Sequence, residues 1–361
     1  MSFKKLFTFL LFIFMTLLAL TCKKEPPVAP PLTSEQDTTS HNFTWTQYTF
    51  GGSGGSSSFK DVAIINDSDV WAIGTIYAID NTMYNAAHWD GKEWGLKRIS
   101  LNLYNSDCTV AGSYFGGMVS VFAFKDGNVI MTDGGDIVQW NGLSYSHLPC
   151  SNSVRTGAIT KFWGISANDF YAVGATGTVL YFSGGAWTKL SSGTTIDLRD
   201  VWGNADGSEV WACGYSNDLS QSVLLQYNGS LWNTIWLQQG TSTPPYEDLV
   251  LTQWASDKFL YVGSASGIFL TPLSGNDTTR RVVVLNSVPH LIRGSSNNNI
   301  AVATDYKSIW HYNGSTWFEE TPDELLKPLY SIAVSGNTIA AVGFDATGLN
   351  WMGEISIGRR N

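Results

Sequence analysis

Few residues of this chain could do chemistry, and those that gather do so as neighbouring pairs. Lys60-Asp61, Thr160-Lys161 and Arg199-Asp200 are adjacent in the sequence, and His290 lies three residues before Arg293. Carboxylates beside cations can hold a charged or polar ligand, and two converging acids can do general acid–base work. Other chemistries lack their residues. Cys108, Cys150 and Cys213 form no CxxC and have no histidine at ligand spacing, so no zinc site is expected. Cys108 and Cys150 could pair in an oxidising compartment, and Cys213 reads as a small core residue. The acidic stretches DGGD (133–136) and NADGSE (204–209) fall short of the calcium-loop pattern and read as turns. No G-x-S-x-G nucleophile elbow occurs. A sialidase-type site would need an arginine cluster, whereas the chain has eight arginines, four of them in the adjacent pairs Arg280-Arg281 and Arg359-Arg360. No metal or cofactor is therefore expected.

The elements that must position these residues repeat. A glycine-centred hairpin is written five times: HWDGKEW (88–94), QWNGLSY (139–145), YFSGGAW (181–187), QYNGSLW (226–232) and HYNGSTW (311–317). Glycine tolerates the positive φ of a tight turn, and Asp or Asn before it is the next best choice. With a degenerate copy at Gly275, the turn glycines are spaced 51, 42, 45, 46 and 39 residues apart. Upstream of each hairpin an apolar strand ends in a small residue, as in DVWAIG (69–74) and SEVWACG (208–214). Seven such copies can be traced, down to NTIAAVG (337–343). A further strand precedes it, clearest in TKFWGIS (160–166) and LRDVWGN (198–204).

Four short strands every 40–50 residues are the signature of propeller blades. The spacing predicts an all-β, seven-bladed β-propeller of four-stranded antiparallel blades over 43–361. The last unit has room for only three strands, and FTWTQYTF (43–50) supplies the fourth, closing the ring and removing exposed sheet edges. Two stacked β-sandwiches would give no reason for the period. DELLKP (323–328) could form one helical turn. His88 and His311 occupy equivalent hairpin positions that elsewhere hold Gln or Tyr, which marks a half-buried strand site. The hairpin aromatics Trp94, Tyr145, Trp187, Trp232 and Trp317 are expected to wedge between blades.

Aligning the units places Lys60, Asp61, Lys161, Arg199, Asp200 and His290 where inner strands begin, and Arg293 where others have Trp163 or Trp202. Inner strands line the central channel, so these seven residues are a candidate ligand-binding ring at one mouth. The alternative is that they pair across neighbouring blades.

The N-terminus sets the compartment. MSFKK precedes an apolar run over 6–21, short for a membrane span and right for a signal peptide. Leu18-Ala19-Leu20-Thr21-Cys22 resembles the lipobox of bacterial lipoproteins, which implies cleavage after residue 21 and lipidation of Cys22. Residues 22–42 carry four prolines and read as a flexible tether. Lys23 after the cysteine implies the outer membrane, and the KKE stretch resembles a surface-export signal. Removing 1–21 takes away Lys4 and Lys5 and no acid, so the net charge moves from −9 to −11. An acidic chain without a basic cluster excludes nucleic acid and leaves the lipid as the only membrane contact.

The segment FWGISANDFYAVGATGTVLYFSGGAWTKL (162–190) resembles the repeats of secreted or lipid-anchored bacterial β-propellers, a group close to the sialidase-like and photosystem-assembly-factor-like propellers. The resemblance implies fold and compartment. The function expected is a non-catalytic protein-binding or scaffolding module on the cell envelope, acting as a monomer. A surface glycan-binding module is the alternative, with Tyr104, Tyr114, Phe115 and Tyr246 as loop aromatics that could stack on sugar rings. A glycan-active hydrolase or lyase would have to use Asp61 and Asp200.

Overall fold

The computed structural model describes residues 38–52, 54–240, 244–305, 308–320 and 328–360. The signal peptide, Cys22, most of the 22–42 tether and nearly all of the 323–328 segment lie outside the described residues.

The described chain forms seven four-stranded antiparallel sheets and one two-stranded ribbon, a seven-bladed propeller. The inner strands of blades 1 to 7 are Ser58–Asn66, Ser120–Ala123, Ile159–Ser166, Leu198–Gly203, Val250–Ala255, Pro289–Ser296 and Leu329–Ser335. Each leads through a turn to a second strand, and those second strands are the seven apolar motifs of the sequence. Blade 7 closes as expected: Phe43–Phe50 is its outer strand, paired with Met352–Arg360 from Phe43↔Arg360 to Phe50↔Gly353. The turn glycines take the positive φ their hairpins require, for example +92° at Gly91 and +97° at Gly314.

One local device recurs that the periodicity did not reveal. In six blades the register slips by one residue where the inner strand begins, at Lys60, Thr160, Arg199, Leu251, His290 and Tyr330. A bulge of this kind leaves one residue unpaired and re-aims its neighbours. It also presses the chain onto the partner strand. A Cβ on Gly214 would lie 1.9 Å from the Asp197 carbonyl oxygen, so the second strand of blade 4 needs glycine there.

Apolar layers between blades make up the core, and the outer aromatics reach back to the preceding blade. Trp94 packs against Tyr48 of blade 7, Tyr145 against Trp71, and Trp232 against Tyr171. Trp187 donates its indole N–H to the Pro149 carbonyl, 2.7 Å away. The interblade role holds, but burial is uneven: Trp232 is buried while Tyr145 is exposed.

Between blades 1 and 2 the chain makes an excursion, the ribbon Leu101–Tyr104 with Val110–Tyr114. A disulfide from Cys108 in its turn to Cys150, between blades 2 and 3, ties it down. The propeller also begins earlier than Phe43. The Thr39 N–H donates to the Asn313 carbonyl at 3.0 Å, and His41 meets His311 Nδ1 to Nδ1 at 2.8 Å. The end of the expected tether is thus docked on blade 6.

Candidate functional site

The bulges explain why neighbouring charged residues do different jobs. The bulged residues (Lys60, Arg199, His290 and Tyr330 among them) stand at the loop end of the channel, where inner strands begin. The residue after the bulge is polar in five blades, Asp61, Lys161, Asp200, Thr252 and Ser331, and the apolar Leu291 in blade 6, with Ser120 at the corresponding place in blade 2.

Two aspartates organise this inner layer. Asp61 accepts from Lys161 Nζ of blade 3 at 2.7 Å and from Ser331 Oγ of blade 7 at 2.5 Å. It also accepts from the Val121 N–H of blade 2 at 2.9 Å, from Ser120 Oγ at 3.2 Å, and from the Val62 N–H of its own blade at 3.1 Å. Asp200 does the same for the other side. It takes two bonds from the Arg293 guanidinium of blade 6, at 2.6 and 3.1 Å. Thr252 Oγ1 and the Gln253 N–H of blade 5 follow at 2.7 and 3.1 Å, and the Val201 N–H of blade 4 at 3.0 Å. One carboxylate therefore joins blades 7, 1, 2 and 3, and the other joins blades 4, 5 and 6. Both are 1% exposed. Buried charges persist only when paired and hydrogen-bonded, and these are.

Four of the seven predicted ring residues, Asp61, Lys161, Asp200 and Arg293, are thus committed to buried ion pairs rather than open to a ligand at the mouth. The other three remain near the loop end. The Lys60 ammonium stands 4.0 Å over the Tyr330 ring, and burial lowers its pKa. Arg199 lies over Tyr215 and bonds Asn217 Oδ1 at 2.5 Å, with Asp197 3.7 Å away. His290 Nε2 is hydrogen-bonded to Asp305.

Below the two aspartates the inner strands carry a layer rich in aromatic side chains. Phe122, Trp163, Trp202, Trp254 and Arg293 occupy equivalent inner-strand positions, where blades 1 and 7 have only Ala63 and Ala333. Trp202 meets Phe122 of blade 2 edge-on at 6.0 Å and carries the Arg293 guanidinium 4.5 Å from its ring centre. It lines both a small inner chamber beside Lys161 and a cup of about 580 Å³ at the other, hairpin end. The sequence singled out Trp202 only as a strand position. Ser120, Thr252 and Ser331 went unnoticed as well, because a small polar residue at the start of a strand carries no signal of its own.

The loop aromatics are largely engaged. Tyr246 is 3% exposed, which removes it as a sugar platform. The Tyr114 hydroxyl donates to Asp133, Arg98 lies 3.9 Å over Phe115, and Tyr104 Oη accepts from Asn102 Nδ2 at 3.1 Å. The ribbon and its flank expose the aliphatic side chains Leu103, Val110 and Val119, with Tyr114 and Phe115 partly exposed beside them. Among the described residues no group of three or more His, Cys, Asp or Glu is arranged to hold a metal ion. Burial pushes the Cys213 thiol well up from its ordinary pKa, in keeping with a core position.

No family model and no curated protein matches this sequence. Solved structures do match in shape. YCF48 bound to D1 peptide superposes with a TM-score of 0.61 at 14% identity, covering 90% of this chain and 100% of that one. Virginiamycin B lyase from Staphylococcus aureus gives 0.58 at 12% identity, over 89% of this chain and 100% of the lyase. The WD40 β-propeller domain of Doa1 gives 0.58 at 14% identity, over 89% and 97%. The three differ in activity, so what they share with this chain is the β-propeller fold.

Proposed function

We propose that this chain is a lipid-anchored propeller of a bacterial cell envelope, held by acylated Cys22 on the outer membrane, that binds a protein partner without catalysing a reaction. The observation that carries the reading is the loop end. There, Asp61 and Asp200, the two acids a hydrolase or lyase would need, are bound into the blade-joining hubs. Beside them a disulfide-tied ribbon presents Leu103 and Val110 to solvent. Exposed aliphatic side chains on a clamped strand pair suit protein contact, because an ordered surface loses little entropy on binding. A protein of similar shape is in keeping with this, YCF48 bound to D1 peptide.

The test is a photo-crosslinking amino acid placed at Val110, and separately at Ala205 on the hairpin end, in cells making the full chain. A discrete protein adduct from Val110 that is lost in Leu103→Lys supports the reading. Adducts from neither position, or equally from both, oppose it. The anchor has its own test: Cys22→Ala should abolish labelling by a fatty-acid probe and release the chain from the membrane fraction.

A further inference from the structure

We infer that the cup at the hairpin end is a binding site for a neutral saccharide, distinct from the protein-binding loop end. The cup has about 580 Å³ of space, within the range of small-ligand sites. Its walls come from inner strands and their turns in blades 2 to 7, six of the seven blades. Of its lining residues only Lys125 and Asp257 carry charge, both exposed and of opposite sign. Arg293, the nearest further cation, is committed to Asp200 beneath the floor. An anionic ligand would find no converging cations there. The rim is instead neutral: Asn204 and Ser256 are bonded within their own turns, and Ser295, Asn297 and Ser335 stand beside them.

Two polar atoms of the lining are buried without a protein partner, the donor Trp254 Nε1 and the acceptor Asn297 Oδ1. Six further tryptophan Nε1 atoms away from the cup are buried in the same way, so these two allow a partner from outside the chain without demanding one. A hydroxyl serves both, since it donates and accepts. The floor is aromatic: Trp202, half-buried, with Phe122 beside it. The negative face of an indole favours the weakly positive C–H face of a pyranose ring. Aromatic floor, neutral hydrogen-bonding rim and lack of a charge cluster together select an uncharged polyhydroxylated ring. This also moves carbohydrate recognition away from the loop tyrosines, of which Tyr246 is buried while Tyr104 and Tyr114 have their hydroxyls engaged.

The experiment follows intrinsic tryptophan fluorescence and binding heat of the full chain, kept in a detergent without a sugar headgroup. The probes are neutral oligomers of glucose, mannose, galactose and N-acetylglucosamine, with oligogalacturonate as the anionic control. Saturable binding of at least one neutral series is expected. Ala205→Trp, which places an indole in the cup from an exposed turn, should weaken it at least about tenfold with an unchanged melting curve. Trp202→Phe should weaken it while keeping an aromatic floor, and Leu103→Lys on the ribbon should leave it unchanged. The inference is overturned if no neutral series binds, if oligogalacturonate binds more tightly, or if Ala205→Trp binds as the parent does. Loss of protein crosslinks at Val110 alone would bear on the protein-binding reading and not on this one.

Discussion

The two ends of the channel solve opposite problems with similar residues. At the loop end charged side chains reach across blades, and each contact joins strands far apart in the chain: Lys161 to Asp61 spans 100 residues and Arg293 to Asp200 spans 93. At the hairpin end polar side chains act within their own turns. Ser256 Oγ accepts from the Phe259 N–H at 3.1 Å, and Asn204 Oδ1 accepts from the Glu209 N–H at 3.1 Å. Locally satisfied turns place no demand on the rest of the ring, so the hairpin end can keep an open cup. The loop-end layer cannot, because its charges hold the blades together.

The sharpest way to break this comparison is to remove a hub carboxylate. Asp200→Asn leaves the buried Arg293 guanidinium without its counter-charge, and should cost about 3–5 kcal/mol of stability in denaturant unfolding. Asp61→Asn should cost less, because Lys161 makes a single bond to it and keeps some solvent contact on a flexible stem. Equal and negligible losses would mean that the two aspartates do not carry the ring. The disulfide comes next. A cross-link with a sequence separation of 42 typically contributes about 2–4 kcal/mol. The pair Cys108→Ser and Cys150→Ser should lower the melting temperature and speed amide exchange first in Val110–Tyr114, with the hairpin end unaffected.

A smaller effect is expected from the histidine contact at the hairpin end. Burial, then His41, then Arg360 lower the His311 pKa from 6.5 to about 3, and burial and Arg360 lower that of His41. The bonds fix the tautomers. His311 Nε2 donates to Asn299 Oδ1 at 3.0 Å, so its Nδ1 must accept the Nδ1–H of His41. Below pH 6.5 the unfolded chain takes up protons that folded His311 refuses until about pH 3. The contribution is therefore full above pH 6.5 and declines as pH falls toward 3. His311→Gln should flatten that part of the melting temperature against pH curve; an unchanged slope would count against it. The smallest change is predicted for Ala205→Trp, within about 0.5 kcal/mol of the parent, because the position is exposed and locally satisfied.

How much of this was legible beforehand depended on how local its cause is. Gly91, Gly142 and Gly314 announced their hairpins because a positive φ is a demand made by a single residue. The equivalence of Lys60, Arg199 and His290 was readable from the aligned units, and all three sit on bulges. What the bulge does next was not readable. It turns Asp61 and Asp200 inward, and besides Lys161 and Arg293 their partners include Ser120, Thr252 and Ser331, which look like any other small polar residue. Tyr246 was misjudged for a similar reason. A loop tyrosine is exposed or covered according to what folds over it, and here Phe269 and Trp236 pack against its ring.

The sequence by itself determined the strand content, the seven-fold period and the closure by residues 43–50, since these follow from turn chemistry and alternation repeated along the chain. Only the tertiary structure decided which carboxylate meets which cation, that Trp202 lines both the inner chamber and the cup, and that one end is tied by ion pairs across blades while the other holds the cup. Those outcomes depend on the geometry of the closed ring, which brings residues about a hundred positions apart to within 3 Å and which no local pattern encodes.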